Sequence, residues 1–228
     1  MIETFLFGVF PYLALVFAVA GGIFRYLRYP FTYTSLSSEL LEKRWLFWGS
    51  VSWHFGIIPV LLAHLGAGLF PAQAAAVHAN GAVTFLLEAA GLTLGLLAGI
   101  GILMLAGRRL VRPEAAAVTS VMDAIVLAVL AIQVMAGIAL SVLYRWGSIW
   151  YLDTASPWFW SLVRLKPDFS AIHPLPLLVR FHMFNGFVAI ALFPISRLVH
   201  LVSMPVSYLW RPFQVVIGNR RRKKPDPS

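Results

Sequence analysis

The sequence predicts an all-α integral membrane protein: a bundle of five transmembrane helices with the N-terminus outside and the C-terminus in the cytoplasm. Three observations predict it. Of the 228 residues, 60% are hydrophobic and 12% charged, against about 45–50% and about 25% in soluble domains. Five stretches stay apolar for the roughly 20 residues a helix needs to cross a hydrocarbon core of about 30 Å. They are Thr4–Phe24, Leu46–Phe70, Ala82–Ala106, Val121–Leu143 and Leu175–Val199. The basic residues between them alternate in density from loop to loop, which is how orientation is written in a bilayer. The net charge of +9 is therefore read as topology among membrane lipid and not as a nucleic-acid footprint.

The first stretch is a span and not a cleavable leader, because it opens on Glu3 where a leader would be basic, runs too long, and ends in arginines. Arg25, Arg28, Lys43 and Arg44 follow it. Arg108, Arg109 and Arg112 follow the third span, and Arg197, Arg211, Arg220, Arg221, Arg222, Lys223 and Lys224 lie at or beyond the end of the fifth. The opposite side holds Arg145, Arg164 and Lys166, while Arg180 sits within the fifth span. Fourteen against three puts the C-terminus inside. The chain divides into a bundle over residues 1–201 and a cytoplasmic tail over 202–228. The tail ends in "RRRKKPDPS", which is too polar and charged to pack.

The second span carries "HFGIIPVLLAH", two imidazoles in sequence without another polar side chain. Of the six histidines, His54 and His64 lie in the second span and His182 and His200 in the fifth, while His78 and His173 fall in outer loops. The two spans run antiparallel, so His54 and His200 share the cytoplasmic level and His64 and His182 the outer one. One imidazole from each helix at each level is what two bis-histidine hemes stacked across a membrane require. Zinc would want its ligands in one cluster, and the absence of cysteine removes iron–sulfur clusters and thiolate sites. Ten residues place the first pair about 15 Å apart and eighteen the second about 27 Å. Pro59 and Pro194, one between each pair, either re-aim the helices enough to reconcile the two spacings or simply bend them.

The third span contributes the glycines of "GLTLGLLAGIG", which read as close helix packing, and Glu88 near the depth of His64. An intramembrane carboxylate is a functional candidate, here as a proton acceptor or as the partner of Arg180. Arg180 requires a heme propionate, an acidic neighbour or an outward reach to the surface. Arg109 and Arg112 are inside-positive residues with a second use as propionate contacts, and Asp123 at the start of the fourth span is placed to pair with them. The tryptophan-rich loop Tyr144–Pro174 reads as an interfacial anchor or as a lid over a lipid-soluble substrate.

Taken together, "RYLRYPFTYTSLSSELLEKR", "HFGIIPVLLAH", "GRRL" with "DAIVLAVLAIQ", and "RFHMFNGFVAIALFPISRLVHLVSMPVSYL" resemble the gamma subunit of respiratory nitrate reductase, a membrane di-heme cytochrome b, over nearly the whole chain. The resemblance implies that His54, His64, His182 and His200 are axial ligands of two heme b groups, the first and last at the inner iron and the middle two at the outer. It implies an oxidoreductase subunit of the inner (cytoplasmic) membrane. Menaquinol or ubiquinol is oxidised near the outer face, and electrons pass to an iron–sulfur subunit and a molybdenum catalytic subunit inside. The family carries a lysine at the outer start of the third span, where this sequence reads "HANGAVTFLLEAAG"; His78 and Glu88 take its place as candidate quinol proton acceptors. Quinone-linked subunits of sulfur-metabolising or heterodisulfide-reductase-like complexes share the di-heme module. A transporter with histidines lining a polar path is the reading from another class, and would show inverted repeats and broken helices.

Overall fold

The computed structural model describes residues 1–29, 44–144 and 147–199. Every described element is helical: α1 (Ile2–Arg28), α2 (Arg44–Leu69), α3 (Pro71–His78), α4 (Gly81–Val111), α5 (Pro113–Ala117), α6 (Val121–Leu143), α7 (Ser156–Val163) and α8 (Leu177–Leu192). Four of them, α1, α2, α4 and α6, are long and apolar enough to cross a membrane. The fifth predicted span is shorter. α8 has 16 residues, about 24 Å of helix, because Pro194 cannot donate the next helical bond. The backbone tightens there, with Phe193 N–H on the Ile190 carbonyl at 3.1 Å. The Arg25 guanidinium then donates to the carbonyls of Pro194 (2.9 Å) and Ser196 (2.6 Å), supplying donors that the broken helix end lacks.

Prolines shape the other end as well. A π-helical turn at Phe5–Val9 ends just before Pro11, and another at Tyr151–Ala155 before Pro157. The wider turn moves backbone out of the way of a ring that would clash with the carbonyl four residues back. The Phe7 carbonyl, which Pro11 cannot serve, accepts instead from the Trp158 indole at 3.1 Å. Helix starts are capped conventionally. Asn80 accepts from the N–H groups of Ala82 and Val83. Ser120 and Asp123 form a reciprocal capping box, both bonds at 3.1 Å.

The close packings among the described residues run α2 on α4, α4 on α6, α6 on α8, and α8 on α1. α2 against α4 is the tightest because glycines remove the side chains between them. A Cβ on Gly56 would stand 2.6 Å from the Leu94 carbonyl oxygen, and one on Gly101 would fall on the backbone of Trp53. The buried core lies at the N-terminal end, where Phe7, Trp158, Leu162, Ile172, Leu175 and Val179 cluster. The tryptophan-rich connection is thus no simple interfacial anchor. Trp158 is 4% exposed, Trp160 donates to the Gly68 carbonyl at 2.9 Å, and Tyr12 donates to the Leu162 carbonyl at 2.7 Å. The segment caps the bundle and ties α1 to α2.

Candidate functional site

Two of the histidines sit on α2 with the same local geometry. Nδ1 of His54 donates to the Ser50 carbonyl at 2.8 Å, and Nδ1 of His64 to the Val60 carbonyl at 2.8 Å. A carbonyl can only accept, so each ring carries its proton on Nδ1 and its lone pair on Nε2. A backbone acceptor on Nδ1 fixes the tautomer and the ring orientation, as it does for imidazoles that bind a metal through Nε2.

His182 is set differently. The Asn185 amide donates to Val129 O (3.1 Å) and to Gln133 Oε1 (2.8 Å), which turns the Gln133 amide so that its Nε2 faces His182 Nε2 at 3.3 Å. His182 Nδ1 is buried without a hydrogen-bond partner among the described residues. Such an orphan costs about 1–3 kcal/mol, which a ligand drawing the ring into a new pose would relieve. Gly137 makes room for this ring, since a Cβ there would come within 3.2 Å of His182 Cε1. Gln133 and Asn185 belong to the site but are not among the candidates that the sequence singles out; their signal is an uncharged amide in a predominantly apolar helix.

His182 and His64 lie close enough for a charge on one to be felt at the other. Yet α2 and α8 are not among the closely packed pairs of the described residues. Two imidazoles of this kind are a donor set that would suit a heme iron. His200 lies outside the described residues, as does the tail over 202–228, so the inner pair is represented by His54.

The remaining candidates change partners relative to expectation. Arg180 finds an acidic neighbour, but it is Glu3 (2.6 Å) and not Glu88; the second oxygen of Glu3 takes His173 Nδ1 at 2.9 Å. Glu88 accepts from Ser148 through both its N–H (3.2 Å) and its hydroxyl (2.7 Å). The reason is the packing order: α6 stands between α4 and α8. Asp123 forms its ion pair with Arg197 at 3.0 Å, because the end of the helix before Pro194 brings Arg197 back to the start of α6, and its charge also reaches Arg109. Arg109 donates to the Leu105 carbonyl at 3.1 Å and lines the same small cavity as Asp123 and Arg197. Arg112 lies over the Trp45 ring at 5.9 Å.

Around His64 the cap closes in. Tyr151, on the second π-helical turn, donates to the His64 carbonyl at 3.1 Å and meets its ring edge-on at 5.8 Å. Burial pushes the Tyr151 phenol above its usual range, so it stays a donor at neutral pH. Glu88 fastens the start of this segment through Ser148. On the far side, the Thr84 hydroxyl donates toward the carbonyls of His78 and Asn80, and the His78 ring meets the same hydroxyl at 3.2 Å.

Comparison with known proteins shows the family of the chain. A sequence model of the family described as nitrate reductase gamma subunit matches residues 3–219. The nitrate reductase gamma chain of Bacillus subtilis (strain 168) is 34% identical over 216 residues, covering 92% of this chain and 96% of that one. The respiratory nitrate reductase 1 gamma chain of Escherichia coli (strain K12) is 29% identical over 231 residues, covering 94% and 97%. The nitrate reductase-like protein NarX of Mycobacterium tuberculosis (strain ATCC 25618 / H37Rv) is 33% identical over 223 residues, covering 93% of this chain and 33% of its own length. The chain is a helical, multi-pass membrane protein that belongs to the nitrate reductase gamma subunit family.

Proposed function

We propose that this chain is the membrane cytochrome b subunit of a respiratory nitrate reductase in the cytoplasmic (inner) membrane. In this reading it has five spans, with the 175–199 segment as the fifth, the N-terminal end outside and the arginine-rich end in the cytoplasm. It oxidises menaquinol or ubiquinol near the outer face and serves an iron–sulfur subunit and a molybdenum catalytic subunit within. Two heme b groups are held by His64 with His182 and by His54 with His200. Each heme supplies a one-electron carrier, so that a two-electron donor can be emptied one electron at a time.

The observation that carries the reading is the set of imidazoles on two apolar helices, with His54 and His64 of α2 each bonded through Nδ1 to a backbone carbonyl and His182 of α8 seated against Gln133. The Nδ1 bonds of His54 and His64 orient the lone pairs, Gln133 and Asn185 position the ring of His182, and Gly137 keeps its space clear. The arginine-rich end and the tail form the docking face for the partner subunits. Protons from quinol are taken up at the outer end, where Glu88 and His78 are the acceptors named by the sequence. Charge moved inward works against the membrane potential at about 2.3 kcal/mol per 100 mV, so the acceptor must be as oxidising as nitrate.

The test is quinol-driven reduction of b-type absorbance in the purified complex, followed by reoxidation on adding nitrate. A complex reduced by quinol and reoxidised by a sulfur-based acceptor, but not by nitrate, would favour the sulfur-linked alternative. Orientation has its own check. A reporter fused after Ser228 that is active only in the periplasm should stay silent, and an active one would invert the topology.

A further inference from the structure

The segment that leads into His200 does not take its position from the helix before it. Pro194 has no N–H with which to continue the ladder of α8, and α8 ends at Leu192. The chain then makes a short 3-10 turn over Arg197–Val199, and His200 is the next residue in sequence. Two other helices reach this turn, at the end of the bundle opposite the tryptophan-rich cap. From α1, Nη1 of Arg25 donates to the carbonyls of both Pro194 (2.9 Å) and Ser196 (2.6 Å). Two bonds from one guanidinium nitrogen to acceptors two residues apart fix how the backbone curves. About one turn earlier on α1, Gly21 lets the proline in, since a Cβ there would stand 2.9 Å from Cβ of Pro194.

From α6, Asp123 takes Nε of Arg197 on Oδ1 at 3.0 Å, while its Oδ2 accepts from the Ser120 N–H at 3.1 Å. Both oxygens are engaged and the side chain is 8% exposed, so the carboxylate is held by the helix it caps. Within the turn the Ser196 hydroxyl accepts from the Leu198 N–H at 3.2 Å, and Pro194, Ser196 and Val199 are buried. Charge-assisted bonds are the strong ones, and here they brace a break in a helix from two sides.

We propose that Arg25 and the Asp123–Arg197 ion pair are positioning residues for His200: they brace residues 194–199 so that the imidazole that follows is presented to the iron of the cytoplasmic-side heme. The proposal rests on the pairing of His54 with His200 proposed above. His54 and His64 stand inside α2 and His182 inside α8, where the helical ladder itself supplies rigidity. His200 is cut off from α8 by the break, so contacts from α1 and α6 supply it instead. Arg197 stands fifteen residues beyond His182, so loosening the brace acts on one heme of the two.

The experiment is electron paramagnetic resonance of the intact oxidised complex, with heme counted per chain and the two signals assigned from the His64→Ala and His200→Ala proteins. An iron with both imidazoles in place is low-spin, and one whose ligand is displaced turns high-spin. Arg25→Gln removes the first contact; Asp123→Asn removes the second and keeps an oxygen for the Ser120 N–H. Each should raise the high-spin fraction of the cytoplasmic-side heme about tenfold, the lower end of what losing a supporting contact costs a metal site, or release that heme, with the outer heme unchanged. Arg25→Lys, which keeps a charged donor, should fall between Arg25→Gln and wild type. Arg28→Gln removes the same charge one turn further along α1 and should match wild type. An unchanged cytoplasmic-side signal in either Arg25→Gln or Asp123→Asn overturns the proposal, as does equal loss at both hemes or an equal effect of Arg28→Gln. A wild-type complex with no low-spin b-type signal would instead refute the heme assignment on which the proposal stands.

Discussion

A His64→Ala protein should hold one heme b per chain in place of two. The remaining heme, between His54 and His200, should still be reduced by dithionite, while quinol-driven reduction falls by more than a hundredfold. Truncation removes the Nε2 ligand and also leaves His182, already burying one nitrogen without a partner among the described residues, facing a void. The mirror variant, His200→Ala, should lose the cytoplasmic-side heme and keep the outer one. It should accept electrons from quinol and fail to pass them to nitrate. Pyridine hemochrome analysis of each variant, run beside kinetics, separates the two outcomes. If either protein retains both hemes and full nitrate-driven reoxidation, the pairing of ligands is wrong.

Comparable loss is expected from a residue that touches no cofactor. A methyl on Gly101 would occupy the backbone position of Trp53, the residue before His54, and would also lie 2.8 Å from the Gly49 carbonyl oxygen. Neither obstacle is a side chain that can rotate away, so α2 and α4 must separate. Overpacking typically costs about 1–3 kcal/mol, and here the displaced element carries two of the proposed heme ligands. Gly101→Leu should therefore lower both the thermal stability and the heme content of the purified protein, and Gly101→Ala should do so to a lesser degree. Gly91 lies on the same helix, and a Cβ added there would meet none of the described residues within 4 Å. Gly91→Leu should be nearly silent, and equal losses at the two positions would remove the packing explanation.

The features legible in the sequence were those with a strong local signature. Apolar runs marked α1, α2, α4 and α6, and the boundaries of α6 coincide with those expected, Val121–Leu143, because its cap residues and its apolar run begin together. The histidines stood out because imidazoles are rare in apolar helices. Pro194 was visible too, though it ends α8 at Leu192 where a kink was expected. What stayed hidden was long-range pairing. Glu3, His173 and Arg180 look like unrelated surface charges until the start of α1 packs against α8. The expected pairing of Glu88 with Arg180 failed because depth in the bilayer says nothing about which helix stands between. The same limit applies to Asp123 and Arg197, whose meeting depends on the path of the chain after Pro194.

The central claim is that the histidines of α2 and of the 175–199 segment hold two hemes in one chain. The most direct measurement is the amount of heme b per polypeptide in the purified, folded complex, read from the reduced-minus-oxidised spectrum and a quantified protein band. The account predicts two b-type hemes for each copy of this chain, with one lost in His64→Ala and one in His200→Ala. A folded wild-type chain with no b-type absorbance, or with a single heme that survives both substitutions, would contradict it.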